Sequence, residues 1–384
     1  MNTNNPSVNK NIAALTALGQ SVWLDYITRD LVRKGGLKKL IDNDGLRGMT
    51  SNPTIFQKAI ASGTMYDEQV GQLANKSASD IFEAIAVQDI QEACDVFRPV
   101  YDSTGGLDGY VSIEVQPGLA HDTNGTIEEA RRLWREVNRP NVMVKVPGTA
   151  EGAPAIRQLL SEGININITL LFSLQNHERV MWAYIEALEQ RIAAGQPIDK
   201  LRSVASYFVS RVDTLVDKQL DGKIKASSDA AEQERLRGLF GKTAIANAQL
   251  AYARFREIFD GDRFTKLKAN GAHVQRPLWA STSTKNPAYR DVMYIEQLIG
   301  PDTVNTIPQE TLEAFEDHGL VARTVDQNID AARKVLADLK AVGIDYDAVT
   351  KQLEDEGVQK FSESFADLLA DVDKKCQAIK QAAH

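Results

Sequence analysis

Short runs in which apolar and polar residues alternate recur along this chain. They are separated by longer stretches whose apolar residues fall three and four apart. The alternating runs lie at 21–27, 45–52, 109–115, 142–147, 163–169, 203–209, 276–282 and 302–308. Alternation with period two marks strands, and the three-to-four spacing marks one-faced helices. Residues 79–101 show the helical period clearly, with Ile81, Ile85, Ile90, Ala93 and Phe97 on one face. Thr126 and Glu129 have capping-box spacing and predict a helix start. Helical stretches at 173–194 and 287–299 stop at Gly195 and Gly300.

Strands alternating with helices predict parallel pairing through right-handed crossovers, and eight such units predict an α/β fold of the (β/α)8 TIM-barrel type. A doubly wound open sheet is the alternative, but the Gly-rich phosphate turn expected after its first strand is missing. An antiparallel sheet with one wet face gives the same alternation; the helical spacers argue against it. Two long connections, 53–108 and 210–275, carry helix-period sequence and predict extra helices. Residues 324–384 read as acidic accessory helices packed on the barrel. Without a repeat or a Pro/Gly/Ser linker, the expectation is one domain over 1–384, its barrel at about 12–323.

Composition narrows the function classes. Of 384 residues, 43% are hydrophobic and 25% charged, which excludes collagen-like, disulfide-framework and wholly disordered chains. A net charge of −8 lacks the bulk electrostatics of a nucleic-acid or anionic-membrane binder, while leaving room for a local basic pocket. Cys94 and Cys376 lie far apart in helical segments and read as free thiols. The histidines at 121, 177, 273, 318 and 384 are scattered without metal spacing, so no metal is expected. The polar N-terminus and the lack of a long apolar run predict a cytoplasmic protein without membrane contact.

The alternation also sorts the strand residues chemically. Val111, Ile113 and Val115 oppose Ser112 and Glu114; Val142, Val144 and Val146 oppose Met143 and Lys145; Ile164, Ile166 and Ile168 oppose Asn165, Asn167 and Thr169. The aliphatic face suits the helices, leaving the other inside the barrel. That puts Asp25, Asn52, Glu114, Lys145, Asn167 and Thr169 near strand C-termini, where barrel active sites sit. A lysine enclosed by aliphatics has its charged form disfavoured, and a neutral amine attacks carbonyls to form a Schiff base. The bland alternative is a structural lysine paired with Glu114 or Asp25. Arg211 and Lys285, just beyond the sixth and seventh strands, make a candidate phosphate site with Ser206 and Ser281; as single residues they read equally as solvated surface. Phe208 reads as substrate packing or core.

These residues sit in short motifs whose order resembles transaldolase in its longer bacterial form. The motifs are Gly48-Met-Thr-Ser-Asn-Pro53, Ser112-Ile-Glu-Val115, Val144-Lys-Val-Pro147, Gly163-Ile-Asn-Ile-Asn-Ile-Thr169, Ser206-Tyr-Phe-Val-Ser-Arg211 and Trp279-Ala-Ser-Thr-Ser-Thr-Lys-Asn286. The resemblance runs from about Ser21 to Pro308. It implies a class I aldolase barrel of the non-oxidative pentose phosphate pathway. Such an enzyme moves a dihydroxyacetone unit from sedoheptulose 7-phosphate or fructose 6-phosphate to glyceraldehyde 3-phosphate or erythrose 4-phosphate, without a cofactor. By resemblance, Lys145 is the Schiff-base lysine, Glu114 the acid acting through a water held by Thr169, and Asp25 the group handling the proton of the hydroxyl beside the scissile bond. Asn52 and Asn167 then hold the dihydroxyacetone hydroxyls, and Ser206 and Arg211 the phosphate, with Phe208 between them. Where many family members carry an arginine after the seventh strand, this loop offers Lys285, a point charge without the bidentate fork. A fructose-6-phosphate aldolase releasing dihydroxyacetone and a non-catalytic phosphosugar-binding barrel are the competing readings. A homo-oligomer is compatible with either.

Overall fold

The computed structural model describes residues 8–62 and 64–382; His384 and the first seven residues lie outside the described residues. Eight parallel strands close into a barrel in chain order: β1 (Gln20–Asp25), β2 (Gly48–Thr50), β3 (Tyr110–Glu114), β4 (Val142–Pro147), β5 (Ile166–Leu171), β6 (Ser203–Phe208), β7 (Arg276–Ala280) and β8 (Thr303–Ile307). Each alternating run overlaps one of them, with β1 starting one residue before its run and β5 ending two residues beyond its own. The outward aliphatics of β3, β4 and β5, from Val111 to Ile168, are buried under helices. Facing inward, Glu114 pairs in register with Lys145, and Lys145 with Asn167.

The barrel axis is filled, not hollow. Trp23 lies inside near the N-terminal end, fully buried. Its indole packs so close to β2 that a Cβ on Gly48 would fall 2.5 Å from the ring, so only glycine fits there. Beneath it Asp108 accepts hydrogen bonds from Ser21 Oγ at 2.8 Å and Trp23 Nε1 at 3.4 Å, and pairs with Arg276 at 2.9 Å.

The two long connections do carry helices, the longest being Ala78–Ser103, Ser210–Ala226 and Thr243–Phe259. Two local readings fail. The stretch 287–299 forms only the short helix Met293–Glu296, because Tyr289 and Tyr294 turn their hydroxyls onto Asp217 and Asp213 and hold the preceding segment as a loop. The Thr126–Glu129 capping box does not open its helix. Asp122 caps the helix Thr123–Val137 instead, accepting from Gly125 N at 2.9 Å, while Thr126 donates to the Leu119 carbonyl.

Residues 324–384 do contain helices, Ile329–Ala341 and the long Tyr346–Ala382. The latter crosses the C-terminal mouth of the barrel. Thr54 donates to Ser364 at 2.9 Å and Gln57 to Asp371 at 3.0 Å, tying it to the helix that follows β2. Gly357 passes so near β5 that a Cβ would lie 2.9 Å from Leu170 Cδ2. No helix of the described residues is long and apolar enough to cross a membrane.

Candidate active site

Parallel strands deliver their last inward residues to one end of the barrel, and the chemistry gathers there. A cavity of about 150 Å³ at this end is lined by Asp25, Asn52, Lys145, Thr169, Ser206, Phe208, Arg211, Ser281 and Lys285, nine of the eleven residues expected from sequence. Glu114 stands at its edge through Lys145, whose Nζ donates to Glu114 Oε2 at 3.1 Å and to the Ser51 carbonyl at 3.3 Å. Both side chains are buried. The ion pair foreseen as the bland alternative is therefore present, and it sits inside the cavity cluster.

The remaining residue, Asn167, lies one layer deeper. Its amide donates to Ser112 Oγ at 3.0 Å and its carbonyl oxygen accepts from Ser206 Oγ at 2.7 Å. It does not line the cavity; it braces Ser206 from below. Asn52 caps the following helix with its side-chain oxygen, accepting from Ile55 N at 3.1 Å, and lines the cavity.

Burial pushes both acids upward. Desolvation raises Glu114, with Lys145 pulling it back and Asp25 adding like-charge repulsion. Desolvation likewise raises Asp25, opposed by Lys145 and by the Thr50 hydroxyl, which donates to it at 2.7 Å. Thr50 in turn shares a 2.6 Å hydrogen bond with Thr306, on β8 at the other side of β1. One amine thus faces two carboxyl groups of raised proton affinity, an arrangement suited to moving protons about a carbonyl addition.

Several polar groups are left unfinished. Among the described residues, the buried Thr169 hydroxyl has no hydrogen-bond partner, and neither has Arg211 Nη1. The Arg211 guanidinium lies 5.3 Å from the Phe208 ring centroid, and Phe208 packs against Phe172. Lys285 donates to Ser283 at 2.6 Å, and burial together with repulsion from Arg211 lowers its proton affinity. Two cations close enough to repel, one with a bare donor, suit an anion between them. Ser281 holds the turn after β7 at φ +57°, sharing a 2.9 Å hydrogen bond with Ser210.

Sequence reasoning missed Phe361, on the helix across the mouth. It lines the cavity, and its ring centroid lies 5.5 Å from Lys145 Nζ. Phe361 follows Gly357 by four residues, so the close approach at Gly357 turns Phe361 toward the same side. An apolar face on that helix was visible in the sequence; what it covers was not. Thr50 and Thr306 were also missed. Among the described residues no group of three or more His, Cys, Asp or Glu could hold a metal ion.

The Transaldolase/Fructose-6-phosphate aldolase family model matches residues 22–372. Over 97% of this chain and 99% of its own length, a transaldolase of Trichodesmium erythraeum is 47% identical. A transaldolase of Mycolicibacterium smegmatis is 47% identical over the same shares, and one of Frankia alni 49% identical over 94% of this chain and 96% of its own. Match and relatives both span the strands that carry the cavity residues, and the chain belongs to the transaldolase/fructose-6-phosphate aldolase family.

Proposed function

We propose that this chain is a transaldolase that carries a dihydroxyacetone unit on Lys145 from a ketose phosphate, sedoheptulose 7-phosphate or fructose 6-phosphate, to an aldose phosphate. The observation that carries the reading is a buried amine between two carboxyl groups, at one end of a cavity whose other end holds Arg211 and Lys285.

Lys145 Nζ adds to the ketose carbonyl, and the carbinolamine loses water to give an iminium. Glu114 supplies the proton that leaves with that water, working through a water held by the unpartnered Thr169 hydroxyl. Asp25 takes the proton of the hydroxyl beside the scissile bond. The carbon–carbon bond breaks, its electrons flow to the iminium, and the aldose phosphate leaves. The resulting enamine adds to the carbonyl carbon of the acceptor aldehyde. Asp25 returns its proton to the new alkoxide, and water releases the product ketose from Lys145. Asn52 orients the dihydroxyacetone hydroxyls, and Asn167 acts from beneath the cavity through Ser206, which stands with Arg211 on the phosphate side. Arg211 and Lys285 hold the phosphate that stays with the aldose half, so the transferred unit itself needs no cation. The enamine must outlast the exchange of aldoses, and Phe361 over Lys145 keeps water from it.

The test is incubation with fructose 6-phosphate, reduction with borohydride and peptide mass spectrometry. A dihydroxyacetone-derived adduct on Lys145 is expected. Sugar phosphate binding with no adduct on Lys145 would overturn the mechanism in favour of a binding barrel. Turnover without an acceptor aldose would favour the aldolase that releases dihydroxyacetone.

A further inference from the structure

The opposite end of the barrel holds a second polar cavity, of about 130 Å³, roughly tenfold the 10–15 Å³ that one water requires. Its wall combines Arg202 before β6, Arg276 at the start of β7, Lys268 and His273, with Phe264, Ala272 and Val274 between them. We propose that this cavity binds a phosphate group, free or carried by a small ester, at a site separate from the active site.

Charge balance is the first argument. Arg276 is neutralised by Asp108, and the wall's single carboxylate, Asp302, is held by Arg256 at 3.0 Å. Arg202 and Lys268 have no ion-pair partner among the described residues. Arg202 is 6% exposed, and its guanidinium donates only to the carbonyls of Asp199, Leu201 and Gly105, its Nε having no partner among the described residues. A guanidinium so enclosed without a counter-charge is costly, and an anion in the adjoining cavity relieves that cost. In a chain of net charge −8 such an excess of cations is local, not a reflection of composition.

Geometry gives the second argument. The cations come from the turns before β6 and β7 and from the end of the helix Asp262–Lys268, so they surround the cavity instead of lining one edge. The exposed Lys268 and His273 guard its mouth, and Arg202 and Arg276 form its floor. A tetrahedral oxyanion suits donors arriving from several directions. His273 senses this field: burial lowers its proton affinity and Arg202 lowers it further, Asp199 pulls the other way, and Arg276 and Lys268 add lesser lowering.

His273 is also the reporter. Imidazole resonances of the full chain are followed by NMR during titration with inorganic phosphate, at ionic strength held constant with chloride. The expected result is a saturable shift confined to His273 with its apparent pKa moved upward, since a bound dianion favours the imidazolium. The shift persists in Arg211→Gln, whose lesion lies at the other end of the barrel. Binding weakens about tenfold in Lys268→Ala, as loss of one charge-assisted contact implies. Glycerol 3-phosphate in place of phosphate separates the sources: equal affinity assigns the site to the phosphate group alone, and tighter binding assigns it to an ester. No saturable shift, a shift unchanged by Lys268→Ala, or one lost with Arg211→Gln would each overturn the proposal.

Discussion

Two ion pairs are buried inside this barrel, one toward each end, and they are finished differently. Toward the N-terminal end Arg276 and Asp108 belong to a closed network: Arg276 also donates to Ser21 Oγ and the Leu107 carbonyl, Ser21 donates to Asp108, and Trp23 donates to its other oxygen. At the C-terminal end Lys145 and Glu114 share one hydrogen bond, beside an unpartnered threonine hydroxyl and an arginine with a bare nitrogen. Backbone strain does not follow this division: Leu170 within β5 and Ser281 just after β7 are in the left-handed region toward the C-terminal end, and so is Asp302 just before β8 at the N-terminal end, a conformation costing about 1–2 kcal/mol for a side-chain-bearing residue. A closed network fixes a fold; an open one leaves its hydrogen-bonding capacity for a substrate.

Substituting one member of each pair should separate these roles most strongly. Lys145→Ala removes the proposed nucleophile, and turnover should fall at least about 10⁴-fold. Its urea midpoint should hardly move, because Glu114, already raised by burial, takes up a proton in place of its partner. Asp108→Ala should do the reverse, leaving Arg276 uncompensated and costing about 3–5 kcal/mol of stability, with kcat per folded molecule preserved. Loss of stability in the first variant and of kcat in the second would erase the contrast.

A sharper case is a buried carboxylate that has hydrogen bonds but no cation. Asp213 accepts from Ala244 N at 2.7 Å and from Tyr294 Oη at 2.9 Å, and burial, with Asp217 nearby, pushes it up to about 7. Because its folded pKa is raised, its contribution is fully present below the unfolded pKa and is lost as pH rises through the folded one. Against an unfolded value near 3.9 the loss amounts to roughly 4 kcal/mol between pH 4 and pH 8. Asp213→Asn cannot ionise and should lack that decline. Parent and variant should match in acid and diverge toward neutrality when urea unfolding is followed across pH, with the variant the more stable. Parallel curves would mean that Asp213 titrates normally.

The contrast between the ends was only half legible in the sequence. Strict alternation placed Glu114, Lys145 and Thr169 on the interior face, because the period of a strand needs no tertiary information. It could not rank depth, so Asn167 looked like a cavity residue although it braces Ser206 beneath the cavity. The capping box at Thr126 misled because two local motifs competed and Asp122, four residues earlier, captured the helix start. The helix expected at 287–299 was lost to Tyr289 and Tyr294, whose carboxylate partners lie on a helix far back in the chain. Phe361 escaped for a similar reason: its position over Lys145 depends on how a distant helix crosses the mouth, and no local pattern encodes a crossing.

Phe361 offers the smallest and most specific test of how the open end works. Phe361→Leu keeps an apolar side chain on the helix but removes the ring from Lys145 and uncovers part of the enamine. Protonation of that enamine by water, followed by imine hydrolysis, yields dihydroxyacetone; attack on an acceptor yields transfer. Loss of the cover should favour the first route, raising dihydroxyacetone release about three- to tenfold, a change of at most about 1.4 kcal/mol. Transfer to glyceraldehyde 3-phosphate should change less, since the proposed phosphate site of Arg211 and Lys285 is untouched. Both rates are read from one reaction, by coupled assay of released dihydroxyacetone and of ketose product. Equal falls in the two would assign Phe361 to packing of the crossing helix. A higher ratio of release to transfer at unchanged urea stability would assign it to guarding the intermediate. The open network at this end would then owe its selectivity to a side chain contributed from outside the barrel.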